Sequence, residues 1–310
     1  MHILGIDIGG TKLAVGLVES VTGRVLAVRM CTTPPDAAQS YACVLELARS
    51  LIAEAAEPPV AAGVCFGGPV AADGRTVRRS MHIPGWELAP LAQWIERDLG
   101  LRCTVANDGN AIALAEWRYG AGRGVNDLMY LTVSTGIGGG LLLNGSIYHG
   151  AHAWAGELGH QLLDPNGPRC TCGKRGCLEA LASGWAIAHQ ARARVASNPT
   201  SRLALVAPAA ITAQLVAEAA AQHDPLALEL WTTALGWLGI GIANATTILN
   251  PARIILGGGL TRAGELLFQP LRRMVAEYTL DPAVRVVPAT LGSEGGVVGA
   301  AVLCEKAPSC

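Results

Sequence analysis

The 310 residues are 51% hydrophobic and 15% charged, which excludes a mainly disordered chain and provides enough apolar side chains for two lobes. The formal net charge is -1 and aromatic residues make up only 5%, so we expect no nucleic-acid or membrane partner. The start lacks the basic segment and long apolar run of a signal peptide, and the nine cysteines are an odd number, so we expect a location in the reducing cytoplasm.

The first part of the sequence predicts an α/β lobe. Three strand-like segments come first, with glycine turns between them, and helices then alternate with buried strands. The predicted elements are strands over residues 1–8, 13–19 and 24–31, a helix over 36–56, a strand over 61–66, a helix over 87–99, a strand over 101–106 and a helix over 110–119.

The second part repeats some of this pattern. A strand over 127–134, a glycine turn over 135–139 and a strand over 140–144 are similar to the start of the chain, which indicates an internal duplication and two related lobes. The uncharged stretch between Glu229 and Arg253 is long enough for a membrane helix, but its Thr and Asn residues favour a buried helix. The remaining predicted elements are a strand over 253–256, a helix over 261–278, a strand over 284–287 and a helix over 294–305.

Three glycine turns are candidates for binding a nucleotide. They are Asp7-Ile8-Gly9-Gly10-Thr11-Lys12, Ser134-Thr135-Gly136-Ile137-Gly138-Gly139 and Gly257-Gly258-Gly259. In the first two, small residues let backbone N–H groups approach phosphate oxygens, and Asp7 could hold Mg²⁺ through water. The third could admit a base or a ribose. Each turn could instead simply connect two elements without binding a ligand, with Asp7 exposed to solvent. The presence of two such turns, one in each predicted lobe, favours a polyphosphate site.

Asn107-Asp108 ends a predicted strand and precedes an apolar helix. A carboxylate at such a strand end can act as a general base that accepts the proton of a substrate hydroxyl during phosphoryl transfer. The alternative is that Asp108 caps the helix over 110–119, a common role for Asp. The residues alone leave both interpretations open.

The most specific motif is a Cys₃His set within eighteen residues. It consists of His160, Cys170, Cys172 and Cys177. Thiolate and imidazole ligands in a closed tetrahedral arrangement favour a structural Zn²⁺. The alternative, three reduced core thiols, fits less well because polar residues surround these cysteines. The metal would order a loop that carries Glu157, His160 and Glu179, whose groups suit a polyhydroxylated ligand.

Together these motifs resemble those of the ROK family of sugar kinases and repressors, within the hexokinase and actin-like ATPase superfamily. The resemblance extends from the first glycine turn to Glu294-Gly295-Gly296, and its most specific part runs from His149 to Glu179. It implies an α/β fold of the two-lobed actin-like ATPase (ribonuclease H-like) type with a central cleft. We expect a small lobe of residues 1–117 with the helix 291–305, and a large lobe of residues 118–290 that carries the zinc loop.

The resemblance also implies a role for each motif. Asp108 is expected to be the catalytic base that activates the sugar 6-hydroxyl. The residues expected to contact the sugar are Gly68, Asn107, Asp108, Glu157, His160 and Glu179. Those expected around ATP and Mg²⁺ are Asp7, Gly9, Gly10, Thr11, Lys12, Thr135, Gly136, Gly258 and Gly259. Structural zinc is expected on His160, Cys170, Cys172 and Cys177, so that His160 would link the metal to the sugar.

The implied activity is ATP-dependent phosphorylation of a hexose at the 6-hydroxyl, with glucose as the first candidate. N-acetylglucosamine, N-acetylmannosamine or fructose is an alternative substrate, and a non-catalytic sugar sensor is a more remote alternative. Because the chain starts in the phosphate motif, without the winged helix-turn-helix of family repressors, we expect an enzyme. His82 stands where many relatives have Asn, which would alter the sugar preference if that residue touches sugar. The family also implies a homodimer.

Overall fold

The chain folds as alternating strands and helices, as predicted. The structure is a computed structural model that describes residues 1–80, 83–281 and 283–305. Its first elements are β1 (His2–Ile8), β2 (Lys12–Glu19), β3 (Val25–Thr32), α1 (Ala37–Glu54), β4 (Ala61–Phe66), α2 (Leu91–Leu99), β5 (Cys103–Asn107) and α3 (Asp108–Tyr119). The others are β6 (Leu128–Val133), β7 (Ile137–Leu143), β8 (Ser146–Ile147), α4 (Leu178–Ala182), α5 (Gly184–Arg194), α6 (Ala213–Ala221), α7 (Pro225–Leu249), β9 (Arg253–Gly257), α8 (Glu265–Tyr278), β10 (Arg285–Pro288) and α9 (Gly295–Val302).

The chain divides into two units. The first comprises Met1–Gly124, Gly140–Gly156 and the described residues from Thr290 onward; the second comprises Val125–Gly139 and Glu157–Ala289. In this division residues 140–156 belong with the N-terminal unit, whereas the expected boundary at residue 118 assigns them to the other lobe.

The sheet of the first unit brings three strand ends together. Its order is β3-β2-β1-β4-β5, with β1 antiparallel to β2 and parallel to β4, and β4 parallel to β5. In this register Asp7 lies beside Cys65, and Phe66 lies beside Asn107. Because the carboxyl ends of parallel strands meet at one edge, the segments after β1, β4 and β5 adjoin.

Helices cover both faces of this sheet. Alternate residues of β1, including Leu4 and Ile6, belong to one large apolar core with residues of α1 and α2, whereas Ile3 packs with Ala301 of α9. The backbone of α9 approaches the sheet closely, since a Cβ on Gly5 or on Gly63 would overlap a backbone oxygen of that helix. These two strand glycines therefore allow the last helix to pack on the sheet.

The second sheet has the order β10-β9-β6-β7-β8, and β9 is parallel to both β6 and β10. The long helix α7 packs against α4, α6 and α8. Among the described residues it is the one helix long and apolar enough to cross a membrane, and 61% of its most apolar window is buried in the protein.

Three predicted boundaries in this part were wrong. β7 begins at Ile137, so the turn before it is shorter than predicted. The predicted helix over 261–278 is a short 3-10 helix, Gly259–Ala263, followed by α8, because Gly264 at φ 57° separates them. The final helix ends at Val302 rather than at residue 305.

Candidate active site and metal centre

Asp108 is the first residue of α3, directly after the end of β5. Its Oδ1 accepts hydrogen bonds from the Gly109 backbone N–H at 2.8 Å and from the Asn107 amide at 3.0 Å. These bonds orient the carboxylate at the edge where the parallel strands end. The side chain is partly exposed, so a ligand can reach it.

Asn107, rather than Asp108, caps α3. Its Oδ1 accepts from the N–H groups of Gly109 at 2.9 Å and Asn110 at 3.4 Å, and its Nδ2 donates to the backbone oxygen of Gly68 at 3.2 Å. The alternative in which Asp108 is the helix cap is therefore wrong. The structure brings together Gly68, Asn107 and Asp108, and the Asn107 amide connects the other two.

A second carboxylate, Asp7, lies near Asp108 at the end of β1. Burial, followed by repulsion from Asp108, raises the pKa of Asp7 from its usual 3.8 to about 6, although the Lys12 ammonium and the Cys65 thiol act in the opposite direction. A Cβ on Gly296 of α9 would overlap the Asp7 carboxylate. Two neighbouring carboxylates offer the oxygen ligands that a hard cation such as Mg²⁺ prefers.

The first glycine turn joins β1 to β2. The Gly9 N–H donates to the Lys12 oxygen at 3.1 Å, which closes the turn, while Gly10 and Thr11 at its tip are exposed. Thr33 supports it from behind, because its hydroxyl donates to the Gly9 oxygen at 2.7 Å and its N–H to the Thr11 oxygen at 3.2 Å. The turn is therefore held in shape while its tip can meet a ligand.

The two glycine turns of the second unit adjoin one another. They follow β6 and β9, which are neighbouring parallel strands. A Cβ on Gly259 would lie 3.4 Å from the Ser134 Oγ, and a Cβ on Gly258, where φ is 89°, would overlap the Val133 backbone. Thr135, Gly258 and Gly259 are exposed. The structure thus brings together the residues predicted for ATP in this unit.

A cavity of about 490 Å³ opens beside these turns within the second unit. Its wall is mostly apolar and contains residues that carried no motif in the sequence, among them Trp185, Ala188, Ala217 and Trp231. They come from α5, α6 and α7, and no single stretch of sequence contains enough of them to reveal the cavity.

The four predicted metal ligands converge in the second unit. One donor atom from each of His160, Cys170, Cys172 and Cys177 lies within 4.8 Å of the others. The Sγ atoms of Cys172 and Cys177 are 3.7 Å apart, and the Cys170 Sγ is 3.7 Å from the His160 Nδ1. Ligands about 2.3 Å from a tetrahedral zinc would be about 3.8 Å apart, so this donor set fits zinc.

His160 and Glu179 connect this donor set to other predicted site residues. The His160 Nδ1 faces the Cys170 thiol, and its Nε2 lies 3.8 Å from a Glu157 carboxylate oxygen. One Glu179 oxygen accepts from the Thr171 hydroxyl at 3.0 Å, and the other accepts from the Ile137 N–H at 2.9 Å. Glu179 therefore contacts both the metal loop and the second glycine turn. His82 lies outside the described residues.

A profile of the ROK family matches residues 3–307. The chain belongs to the ROK family. It is 35% identical to the glucokinase of Thermotoga maritima, over 99% of this chain and 98% of that protein. It is 32% identical to the N-acetylmannosamine kinase of Yersinia pestis (strain Pestoides F), over 96% of this chain and 97% of that protein.

Among solved structures, the chain is similar to a ROK family glucokinase from Streptomyces griseus in complex with glucose and AMPPNP. The TM-score is 0.86 at 33% sequence identity, and the match covers 98% of this chain and 99% of that one. The predicted two-lobed actin-like ATPase fold is confirmed, and the chain is a sugar kinase.

Proposed function

We propose that this ROK protein transfers the γ-phosphoryl group of ATP to the 6-hydroxyl of a hexose, and that glucose is its preferred substrate. The observation that carries the proposal is the placement of Asp108, oriented by Gly109 and Asn107 beside Asp7 and the supported glycine turn. This arrangement combines a base for a hydroxyl with donors for a polyphosphate, which is the machinery that phosphoryl transfer requires.

In the proposed reaction, Asp108 accepts the proton of the sugar 6-hydroxyl as that oxygen bonds to the γ-phosphorus. The bond from this phosphorus to the bridging oxygen breaks, and ADP leaves. When bound, Mg²⁺ neutralises phosphate charge, and Asp7 would hold it, directly or through water. We expect the two units to close on the substrates, since exclusion of water prevents hydrolysis of ATP.

The cavity of the second unit supports a nucleoside triphosphate as the phosphoryl donor. It lies beside Ser134, Thr135 and Gly259, and its apolar wall suits a base, whereas an inorganic polyphosphate would have no use for such a wall. We expect Ala217→Phe, which adds a ring to the wall of the cavity, to raise the KM for ATP at least about tenfold and leave the sugar KM unchanged. An unchanged ATP KM would contradict this assignment of the cavity.

The choice of glucose rests on glucokinases among the similar proteins, but N-acetylmannosamine kinases are similar to nearly the same degree. An N-acylhexosamine is therefore the second candidate. The deciding experiment measures ADP release with glucose, mannose, fructose, N-acetylglucosamine and N-acetylmannosamine. Highest kcat/KM for glucose is the expected result. Highest kcat/KM for an N-acetylated sugar would overturn glucose alone, whereas no ADP release with any sugar would overturn the kinase.

We also propose that the Cys₃His set holds a structural zinc, because its three thiols and one imidazole lie within 4.8 Å of one another and are the ligands that zinc prefers. The proposed role of His160 is to join metal and sugar, with Nδ1 towards the metal and Nε2 towards the Glu157 side. Elemental analysis of the purified protein is expected to find one zinc per chain. Purified, fully active protein without zinc would contradict this role.

A further inference from the structure

Glu116 is a buried carboxylate for which the proposed reaction has no use. It lies on α3, about two turns beyond Asp108, and its side chain is fully buried. A buried charge costs free energy unless its hydrogen-bonding capacity is filled. A structural reason for retaining this one should therefore be visible in its contacts.

Four donors surround the Glu116 carboxylate, two on each oxygen. Oε1 accepts from the backbone N–H groups of Thr290 at 2.9 Å and Leu291 at 2.8 Å. Oε2 accepts from the Ala121 N–H at 2.8 Å and the Thr290 hydroxyl at 3.1 Å. The carboxylate thus joins two chain segments that are about 170 residues apart in sequence.

Both segments lie where the chain leaves or re-enters the first unit. One segment of that unit ends at Gly124, three residues after Ala121, and its last segment begins at Thr290. The preceding residue, Ala289, is the last of the second unit, and its N–H donates to the Leu256 oxygen of β9 at 2.8 Å. Ala289, which is hydrogen-bonded within the second unit, is therefore followed directly by Thr290, which is hydrogen-bonded to Glu116.

The second of these two connections leaves the first unit after Ala121. It contains Gly122 and Gly124, and a side chain at Gly124, where φ is 82°, would meet no atom within 4 Å. Hinges consist of a few residues that absorb backbone rotation beside segments that stay fixed. The chain passes between the units at four places, and Glu116 fixes the backbone beside two of them, after Gly124 and before Thr290. It stands on the helix that begins with Asp108.

We propose that Glu116 is a positioning residue that fixes the hinge for substrate-induced closure by tying residues 121 and 290–291 together. This inference rests on the proposed function, because closure matters only if the chain binds sugar and ATP. When the tie is loosened, closure must also order the hinge, and this entropy cost makes the closed, substrate-bound state less favourable relative to the open one.

The test compares Glu116→Gln with Asp224→Asn. Asp224 is a matched control, since it is also a buried carboxylate that accepts from Ser201, Arg202 and Ala227, but it lies within the second unit away from both connections. Both variants should lower the melting temperature, because each amide leaves donors without an acceptor. Only Glu116→Gln should also raise the KM for sugar and the KM for ATP, each about tenfold. X-ray scattering should show that sugar shrinks the radius of gyration of Glu116→Gln less than that of the wild type.

If Glu116→Gln fails to fold, Thr290→Val serves as the second variant, since it removes one donor and keeps the carboxylate and three others. It should raise both KM values about threefold. KM values within twofold of wild type, with an undiminished change in radius of gyration, would overturn the hinge role and leave Glu116 a stabilising residue. Failure of the proposed function would look different, because wild-type protein itself would release no ADP with any sugar.

Discussion

Asp7→Asn should make the ligand-free protein more stable and a poorer kinase. The wild-type carboxylate is partly buried beside Asp108, and burial with this repulsion raises its pKa from 3.8 to about 6. The folded state therefore disfavours the charged form. Asn has the same shape and carries no charge, so the substitution removes the unfavourable contribution.

The difference between a pKa of 3.8 and one of about 6 corresponds to about 3 kcal/mol at neutral pH. Because water reaches part of the Asp7 side chain, we expect about 1–2 kcal/mol of this to appear as stability. For a chain of 310 residues that is a rise in melting temperature of about 2–3 °C. The destabilisation is fully present above pH 6 and fades as the pH falls towards 4, so the gap between variant and wild type should shrink over that range.

The assay is thermal unfolding of both proteins at pH 7.5 and pH 4.5, with ADP release measured at pH 7.5. Asp98→Asn is a control of opposite sign, since hydrogen bonds from Arg97 and Tyr41 lower the pKa of Asp98 to about 2. It should destabilise the protein at both pH values, because the favourable contribution of that carboxylate is lost only as the pH falls from about 4 through 2. Two results would refute the reasoning. One is a melting temperature of Asp7→Asn below that of the wild type at pH 7.5, and the other is a difference in melting temperature between the two proteins that stays the same at both pH values.

Three further substitutions examine the other parts of the site. Asp108→Asn should leave sugar binding nearly intact and lower kcat by about 10²- to 10⁴-fold, and full retained activity would exclude Asp108 as the base. Gly68→Ala would place a methyl group 2.7 Å from the Arg79 backbone oxygen and displace the Gly68 oxygen from Asn107. The KM for sugar should therefore rise about tenfold. A normal KM for sugar would show that the site tolerates the shift. Cys172→Ser should lose the proposed zinc and sugar affinity together, and a zinc-free variant with a normal sugar KM would show that the metal is incidental.

Elements with strong local signals were predicted closely. Strand 61–66 matches β4 to the residue, because apolar residues fill it and a glycine pair ends it. The helix predicted over 36–56 is Ala37–Glu54, and the side chain of Asp36 caps it by accepting from the Gln39 N–H at 2.8 Å. The helix predicted over 87–99 begins only at Leu91, because Ala89 makes a β-bridge to Val77 that its own sequence neighbours do not indicate.

In the site too, features formed by residues close in sequence were predicted, and features formed by residues far apart in sequence were not. Motifs contained in a few residues, such as Asn107-Asp108 and the Cys₃His set, could be found in the sequence because their members are neighbours. Sequence could not decide whether Asn107 or Asp108 caps α3, since both are good caps and the choice depends on backbone geometry. It also gave no sign of Glu116, whose partner Thr290 is 174 residues away.

Glu179 explains why loss of the metal should affect more than the sugar. The Glu179 carboxylate bonds Thr171, next to the ligand Cys170, with one oxygen and Ile137, next to Gly136 of the second glycine turn, with the other. Disorder of the metal loop would free this carboxylate, and the Ile137 N–H would lose its acceptor. Zinc removal should therefore raise the KM for ATP as well as for sugar. A chelated or Cys172→Ser protein that binds ATP normally while losing sugar affinity would show that Glu179 does not transmit the loss.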